Sequence, residues 1–275
     1  MLAYLFELHD HWWTMSGAPT TAIQARPSSD PASAARAGKR VVAAHILVVC
    51  ALALVASVLF GATSLDLTVA HWFRAPAWDG GERWIGLDSR LVSALNQYGP
   101  RPPLLVAALA AVIVLAGCFS ASWRPWRRGA LVVVISMALG PGLLVNLIGK
   151  DHVGRPRPND VVGLGGAQAY VLPGAYSAGG GRSFPSGHPS VAFSLASLFF
   201  CLRERRPRLA RACLAGALVY GATLGLARVS VGAHFLSDIF WSFVVCYLSA
   251  AVTWMALESW SARSRPGEEV PAGPS

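Results

Sequence analysis

Apolar residues in this chain fall in long blocks, without the short alternations that mark half-buried helices or strands. Six blocks stand out, over about 41–62, 103–119, 130–148, 189–202, 212–227 and 235–257. Most approach or exceed the ~17–20 apolar residues that a helix needs to cross a bilayer. The pattern therefore predicts an all-α integral membrane protein with six transmembrane helices and both termini on one side. Residues 41–258 would form the membrane domain, flanked by a loose tail over 1–40 and a second tail over 259–275. Within the third block, Gly140-Pro141-Gly142 predicts a kink. Between the first two blocks, residues 63–101 are more polar and carry Trp72, Trp78 and Trp84. Pro76 and Gly80-Gly81 interrupt any long helix there, so the segment reads as surface-lying, with indoles in the interfacial belt. Residues 149–187 form a long loop rich in Gly and Pro, and loops of that length commonly carry function.

Composition supports the membrane reading. The 275 residues are 54% apolar and only 13% charged, against about 25% charged in soluble domains. The opening residues lack the basic start and the long apolar core of a cleaved signal peptide. Net charge is +9, but the basic residues are distributed unevenly about the spans. Fourteen Lys and Arg fall on the side that holds the termini, the 123–128 turn and the 203–211 turn; nine fall on the other. Five of those nine, Lys150, Arg155, Arg157, Arg182 and Arg228, gather in or beside the polar motifs. The positive-inside rule then puts the termini in the cytoplasm and the long loop on the outer face of a bacterial inner membrane. The charge needs no nucleic-acid partner. The five cysteines (Cys50, Cys118, Cys201, Cys213, Cys246) lie in apolar blocks without metal-type spacing and read as small core residues. His45, in the first block, reads as an interfacial residue and not as a ligand.

Three polar clusters fall at the outer ends of the spans. The first is Lys150-Asp-His-Val-Gly-Arg-Pro-Arg157-Pro158, the second Gly179-Gly-Gly-Arg-Ser-Phe-Pro-Ser186-Gly187-His188, and the third Arg228-Val-Ser-Val-Gly-Ala-His234-Phe-Leu-Ser-Asp238. Ionisable groups at membrane depth are costly and point to function. The second cluster also ends where a helix begins, so unpaired backbone N–H groups would face an anion there. Gly179–Gly181 would give a headgroup a flexible approach.

Lys-x6-Arg-Pro, Pro-Ser-Gly-His and Arg-x5-His-x3-Asp, in that order, resemble the signature of the type-2 phosphatidic acid phosphatase superfamily, in its membrane lipid phosphatase branch. The motifs cover residues 150–238, and the six-span arrangement resembles that branch over 41–258. One departure is Ala227, where the family usually has Ser before the third-motif Arg. The resemblance implies His234 as nucleophile, attacking phosphorus to give a phosphohistidine. Asp238, one helical turn on, would hold the other ring nitrogen. His188 would be the general acid. Lys150, Arg157, Arg228, Ser186 and Gly187 would bind the phosphate, with no metal or other cofactor. Arg155, Arg182, His152 and Asp151 read as loop-bracing or surface residues.

The expected activity is hydrolysis of a membrane lipid phosphate at the periplasmic face. Undecaprenyl diphosphate, phosphatidylglycerol phosphate, phosphatidic acid and the 1-phosphate of lipid A are candidate substrates. A phosphotransferase passing the same phosphoryl group to another lipid is the alternative within the class. A non-catalytic lipid phosphate binder or a transporter is the alternative outside it; charges gathered at one face instead of the midplane disfavour the transporter.

Overall fold

The computed structural model describes residues 31–77 and 80–263, with side chains from Arg36 onward. The aromatic opening, most of the N-terminal tail, Trp78 and residues 264–275 lie outside the described residues. Residues from Ala37 on form one compact unit; of the other unit, Met1–Arg36, the described part is the start of a helix. The described chain is mostly helical. In order it comprises α1 (Pro31–Ala62), α2 (Leu65–Trp72), β1 (Arg74–Pro76), β2 (Glu82–Trp84), α3 (Arg90–Tyr98), α4 (Arg101–Phe119), α5 (Ala121–His152), α6 (Gly187–Leu202), α7 (Pro207–Ser230) and α8 (Leu236–Arg263).

Five helical segments are long and apolar enough to cross a membrane: Arg36–Ala62, α3–α4 taken together, α5, α7 and Leu236–Ser261. The remaining expected span, the fourth, over 189–202, coincides with α6, which is shorter. At 1.5 Å per residue it extends about 24 Å, less than the ~30 Å hydrocarbon core. Much of the apolar surface of α1 and α4 faces outward, including Leu47, Leu54, Val55, Leu105, Leu109 and Leu115. Contiguous exposure on that scale suits lipid and not water. The chain is a multi-pass membrane protein.

The interior is built where α5, α6, α7 and α8 pack together. One cluster joins Val42 and Val49 of α1 to Val132, Phe200, Val244, Tyr247 and Trp254. Another joins Val145, Phe193, Val229 and Ile239 nearer the polar motifs. Glycines let the helices approach closely. A Cβ on Gly221 would strike the Phe193 ring, and one on Gly225 would strike Ile239. The expected kink in α5 takes the form of a widened helix: residues Ala138–Gly149 adopt π-type turns around Pro141. There the Asn146 side-chain amide donates to the Pro141 carbonyl at 2.7 Å.

Several local expectations change. A two-stranded antiparallel ribbon, β1–β2, interrupts the otherwise helical chain, pairing Arg74 with Trp84. Trp84 is not an interfacial belt residue; it is buried, with Arg74 over its ring at 5.3 Å, and packs with Phe235 and Leu164. Only Trp72 of the expected belt is both described and exposed. Cys50 and Cys118 face outward, so they are not core residues, because they lie on the lipid-facing sides of α1 and α4. His45 is not merely interfacial: its Nδ1 is hydrogen-bonded to the Tyr247 hydroxyl at 2.5 Å, and its ring stacks on Phe199.

Candidate active site

The end of α5, the start of α6, the end of α7 and the start of α8 bring the three polar clusters together. The turn between α7 and α8 needs Gly232, which sits at φ +68°, where any Cβ would collide with Trp84. That turn delivers His234 and places Asp238 in the first turn of α8. His234 is buried, and its Nδ1 donates to the Ser183 carbonyl at 2.7 Å. The bond fixes the tautomer and leaves Nε2 as a lone-pair nitrogen. Burial lowers the His234 pKa below its ordinary 6.5, outweighing the raising effect of Asp238; Arg228 and Lys150 add to the lowering. The ring is therefore neutral at pH 7.

Asp238 does not hold His234 in the way the one-turn spacing suggested. Its Oδ2 stands 3.6 Å from His234 Nδ1, beyond a hydrogen bond. That oxygen instead accepts from the Ser183 hydroxyl at 2.6 Å and the Phe235 N–H at 2.8 Å. The carboxylate thus anchors the two segments that carry and orient the imidazole, and its charge sits beside the ring.

Behind Asp238 lies Arg155, fully buried, although its neighbours in the loop suggested a surface brace. Its guanidinium donates to Asp238 Oδ1, to Asp66 Oδ2 at 2.8 Å, to Ser237 Oγ at 2.8 Å, to Tyr170 Oη at 3.2 Å and to the Val171 carbonyl at 2.8 Å. Its guanidinium lies over the Phe235 ring, 4.4 Å from the centroid. Burial alone would lower its pKa, but the Asp238 and Asp66 carboxylates hold it above the ordinary arginine value. Asp66, from α2, accepts in turn from the Ser237 N–H at 2.9 Å and from Tyr170 Oη at 3.1 Å. The Arg155 carbonyl also takes the Ser183 N–H at 3.0 Å. One residue therefore ties the long loop, α2 and α8 to the His234 support.

Sequence reasoning passed over Asp66 and underrated Arg155. A lone carboxylate at the start of an apolar helix was the available signal for Asp66. For Arg155 it was the doubled Arg-Pro of 155–158. Arg182 and Asp151, by contrast, form an exposed pair at 2.9 Å, and exposed His152 is hydrogen-bonded only to its own helix at Ile148. The glycine approach is also less free than expected. Gly181 donates to the Gly154 carbonyl at 3.0 Å, and a Cβ on it would collide with Arg155 backbone.

Several of the expected phosphate ligands gather near His234. Lys150, Arg157 and Arg228 lie within electrostatic reach of one another, and Lys150 and Arg228 also of His188 and His234. A Cβ on Gly187 would come within 2.7 Å of Lys150 Nζ and 2.9 Å of Asn146 Oδ1, so the missing side chain lets the lysine approach the helix start. Ser186 is fully buried, and its Oγ has no hydrogen-bond partner among the described residues; the same holds for Arg228 Nε. Buried donors without partners are uncommon and demand an explanation. His188 donates through Nε2 to the Asn96 carbonyl at 3.1 Å, so α3 orients the second histidine. The arrangement offers a neutral, fixed imidazole, a second imidazole and a crowd of cations with spare donors. Such a set suits attack on an anionic phosphorus centre.

Comparison with known proteins agrees. A family profile described as the PAP2 superfamily matches residues 129–261. A lipid A 4'-phosphatase of Francisella tularensis subsp. novicida (strain U112) is 29% identical over 213 residues, 76% of this chain and 91% of the relative. A lipid A 4'-phosphatase of Rhizobium leguminosarum is 35% identical over 159 residues, 55% of this chain and 65% of the relative. A transmembrane PAP2-type phosphatidylglycerolphosphate phosphatase from Bacillus subtilis aligns over 83% of this chain and 98% of its own. At 18% identity and a TM-score of 0.40, that likeness carries no argument. The chain carries a PAP2 superfamily domain and is a phosphoric ester hydrolase.

Proposed function

We propose that the protein removes a phosphate monoester from a membrane lipid with a sugar headgroup, of the lipid A type, by way of a phosphohistidine at His234. The observation that carries this reading is the pair of buried, unpartnered donors, Ser186 Oγ and Arg228 Nε, beside an imidazole whose Nε2 is kept free. The substrate class is supported by the lipid A 4'-phosphatases among the relatives. The 4'-phosphate was not among the expected substrates, which for lipid A named only the 1-phosphate.

His234 Nε2 attacks phosphorus, forming the P–N bond as the P–O bond to the lipid breaks. Lys150, Arg157, Arg228, Ser186 and the Gly187 N–H hold the phosphoryl oxygens, the main demand of phosphoryl transfer. His188, entering the step as the imidazolium with its Nε2–H held by the Asn96 carbonyl, gives its Nδ1 proton to the departing lipid oxygen and is left neutral. Water then cleaves the P–N bond, with His188 taking its proton. Asp238 stabilises the charge that develops on His234. In the membrane, α6 serves as a short sixth span, the termini are cytoplasmic and the site opens at the periplasmic face.

Purified protein in detergent with a metal chelator should release inorganic phosphate from a lipid A 4'-phosphate. His234→Ala should lower the rate by at least ~10³-fold, as expected when a nucleophile is lost. Equal rates for the variant and the parent would overturn the reading.

A further inference from the structure

A second cleft lies against the site. It is lined by Gly86, Leu87, Ser93, Asn96, Gln97 and Val231 and has a volume of about 460 Å³. That falls in the ~300–1,000 Å³ range of small-molecule sites. Two of its walls are shared with the catalytic elements. Asn96 gives its backbone carbonyl to His188, and Val231 begins the turn that carries His234. The cleft is preformed. Ser89 Oγ caps α3 by accepting the Val92 N–H at 3.3 Å, and Tyr220 donates to the Gly99 carbonyl at its far end at 2.7 Å.

Its chemistry differs from that of the phosphate site. The polar side chains are uncharged: a serine hydroxyl and two carboxamides. Asn96 Oδ1 is buried and has no hydrogen-bond partner among the described residues. At the rim of the cleft Leu87 is exposed, and so are Ile85 and Leu91 on the same stretch of chain, which suits an acyl boundary beside a headgroup pocket. We infer that this cleft is the subsite for the sugar ring that bears the scissile phosphate, with Ser93, Asn96 and Gln97 hydrogen-bonding its hydroxyl and amide groups. The inference rests on the proposed function and assigns substrate selectivity to α3. A glycerol phosphate lipid would reach the cations and His234 without filling the cleft.

The test compares Ser93→Ala/Gln97→Ala, both at exposed positions, with the parent chain on two substrates: a disaccharide lipid 4'-phosphate and phosphatidic acid. The ratio of kcat/KM for the sugar lipid over that for phosphatidic acid should fall roughly tenfold, as expected for two lost neutral hydrogen bonds, mainly through KM. Asn96→Leu should lower the same ratio, if that variant folds. An unchanged ratio in the double variant would overturn the inference. Binding of the unphosphorylated disaccharide, measured by calorimetry, separates this outcome from failure of the proposed function. If the parent hydrolyses phosphatidic acid alone, the proposed substrate class is wrong. The subsite then stands only if the parent binds the disaccharide and the double variant does not; no binding by the parent removes it.

Discussion

At the scale of single residues, the site depends on a buried ion cluster more than on the histidines alone. Arg155 satisfies two carboxylates, Asp66 and Asp238, in a place with no water access. Removing one partner of such a cluster leaves an uncompensated charge, which typically costs about 3–5 kcal/mol. Asp66→Asn should therefore lower thermal stability, and it should also lower kcat by loosening the Ser183–His234 support. Lipid phosphate turnover and a detergent-phase melting curve would check both, and unchanged values would remove the supporting role. His234 titrates in the opposite sense from a salt-bridged histidine. Its folded-state pKa is depressed, so the neutral form is favoured by the fold and is lost only as pH falls below 6.5. The acid limb of the kcat/KM profile should accordingly lie below pH 6.5, together with any loss of stability from this group. A limb above that value would contradict the burial argument. The motifs made His234, its neighbour Asp238 and the buried Ser186 legible as candidates, because each motif is local in sequence, but not the way Asp238 supports the ring. Asp66 was not legible, since its partner lies 89 positions away and only chain closure joins them.

Among the elements, the starts and ends of helices do most of the positioning. The start of α6 comes close to Lys150, and a side chain at residue 187 would crowd the lysine's Nζ. If Lys150 holds phosphate in ground and transition states alike, as proposed, Gly187→Ala should displace the lysine and raise KM about tenfold, with a smaller effect on kcat. A steady-state comparison checks this, and an unchanged KM would mean that the lysine does not touch phosphate. The long spans were legible from apolar block length, although their ends were not. Expected block 103–119 corresponds to α3–α4, which begins at Arg90, because α3 is an amphipathic helix that hydropathy alone does not mark. The 63–101 stretch looked like a surface segment because its signals are Trp, Pro and Gly. In the fold it supplies Asp66, the buried Trp84 and the α3 backbone that orients His188. Tertiary contacts decide such roles, and no local pattern announces them.

Across the whole molecule, the two ends of the helical assembly carry different chemistry. At one end lie the cations of the site. At the other, Arg203 donates to the Gly38 carbonyl at 2.9 Å and lies over Trp254 at 4.3 Å, and Arg128 pairs with Glu258. The uneven charge was readable from the sequence and underlies the proposed orientation. Tyr176→Cys, in the long loop, should react with a membrane-impermeant maleimide in intact cells, whereas Ser122→Cys should react only after permeabilisation. The reverse pattern would invert the topology. The same end-to-end polarity gathers every proposed catalytic group about His234, so the most direct measurement is to trap the intermediate. Brief exposure to a lipid phosphate labelled in its phosphoryl group, followed by an alkaline quench, should leave acid-labile label on His234 of the parent chain and none on His234→Ala. Turnover by the parent without any such label, or label retained by His234→Ala, would contradict His234 as the nucleophile.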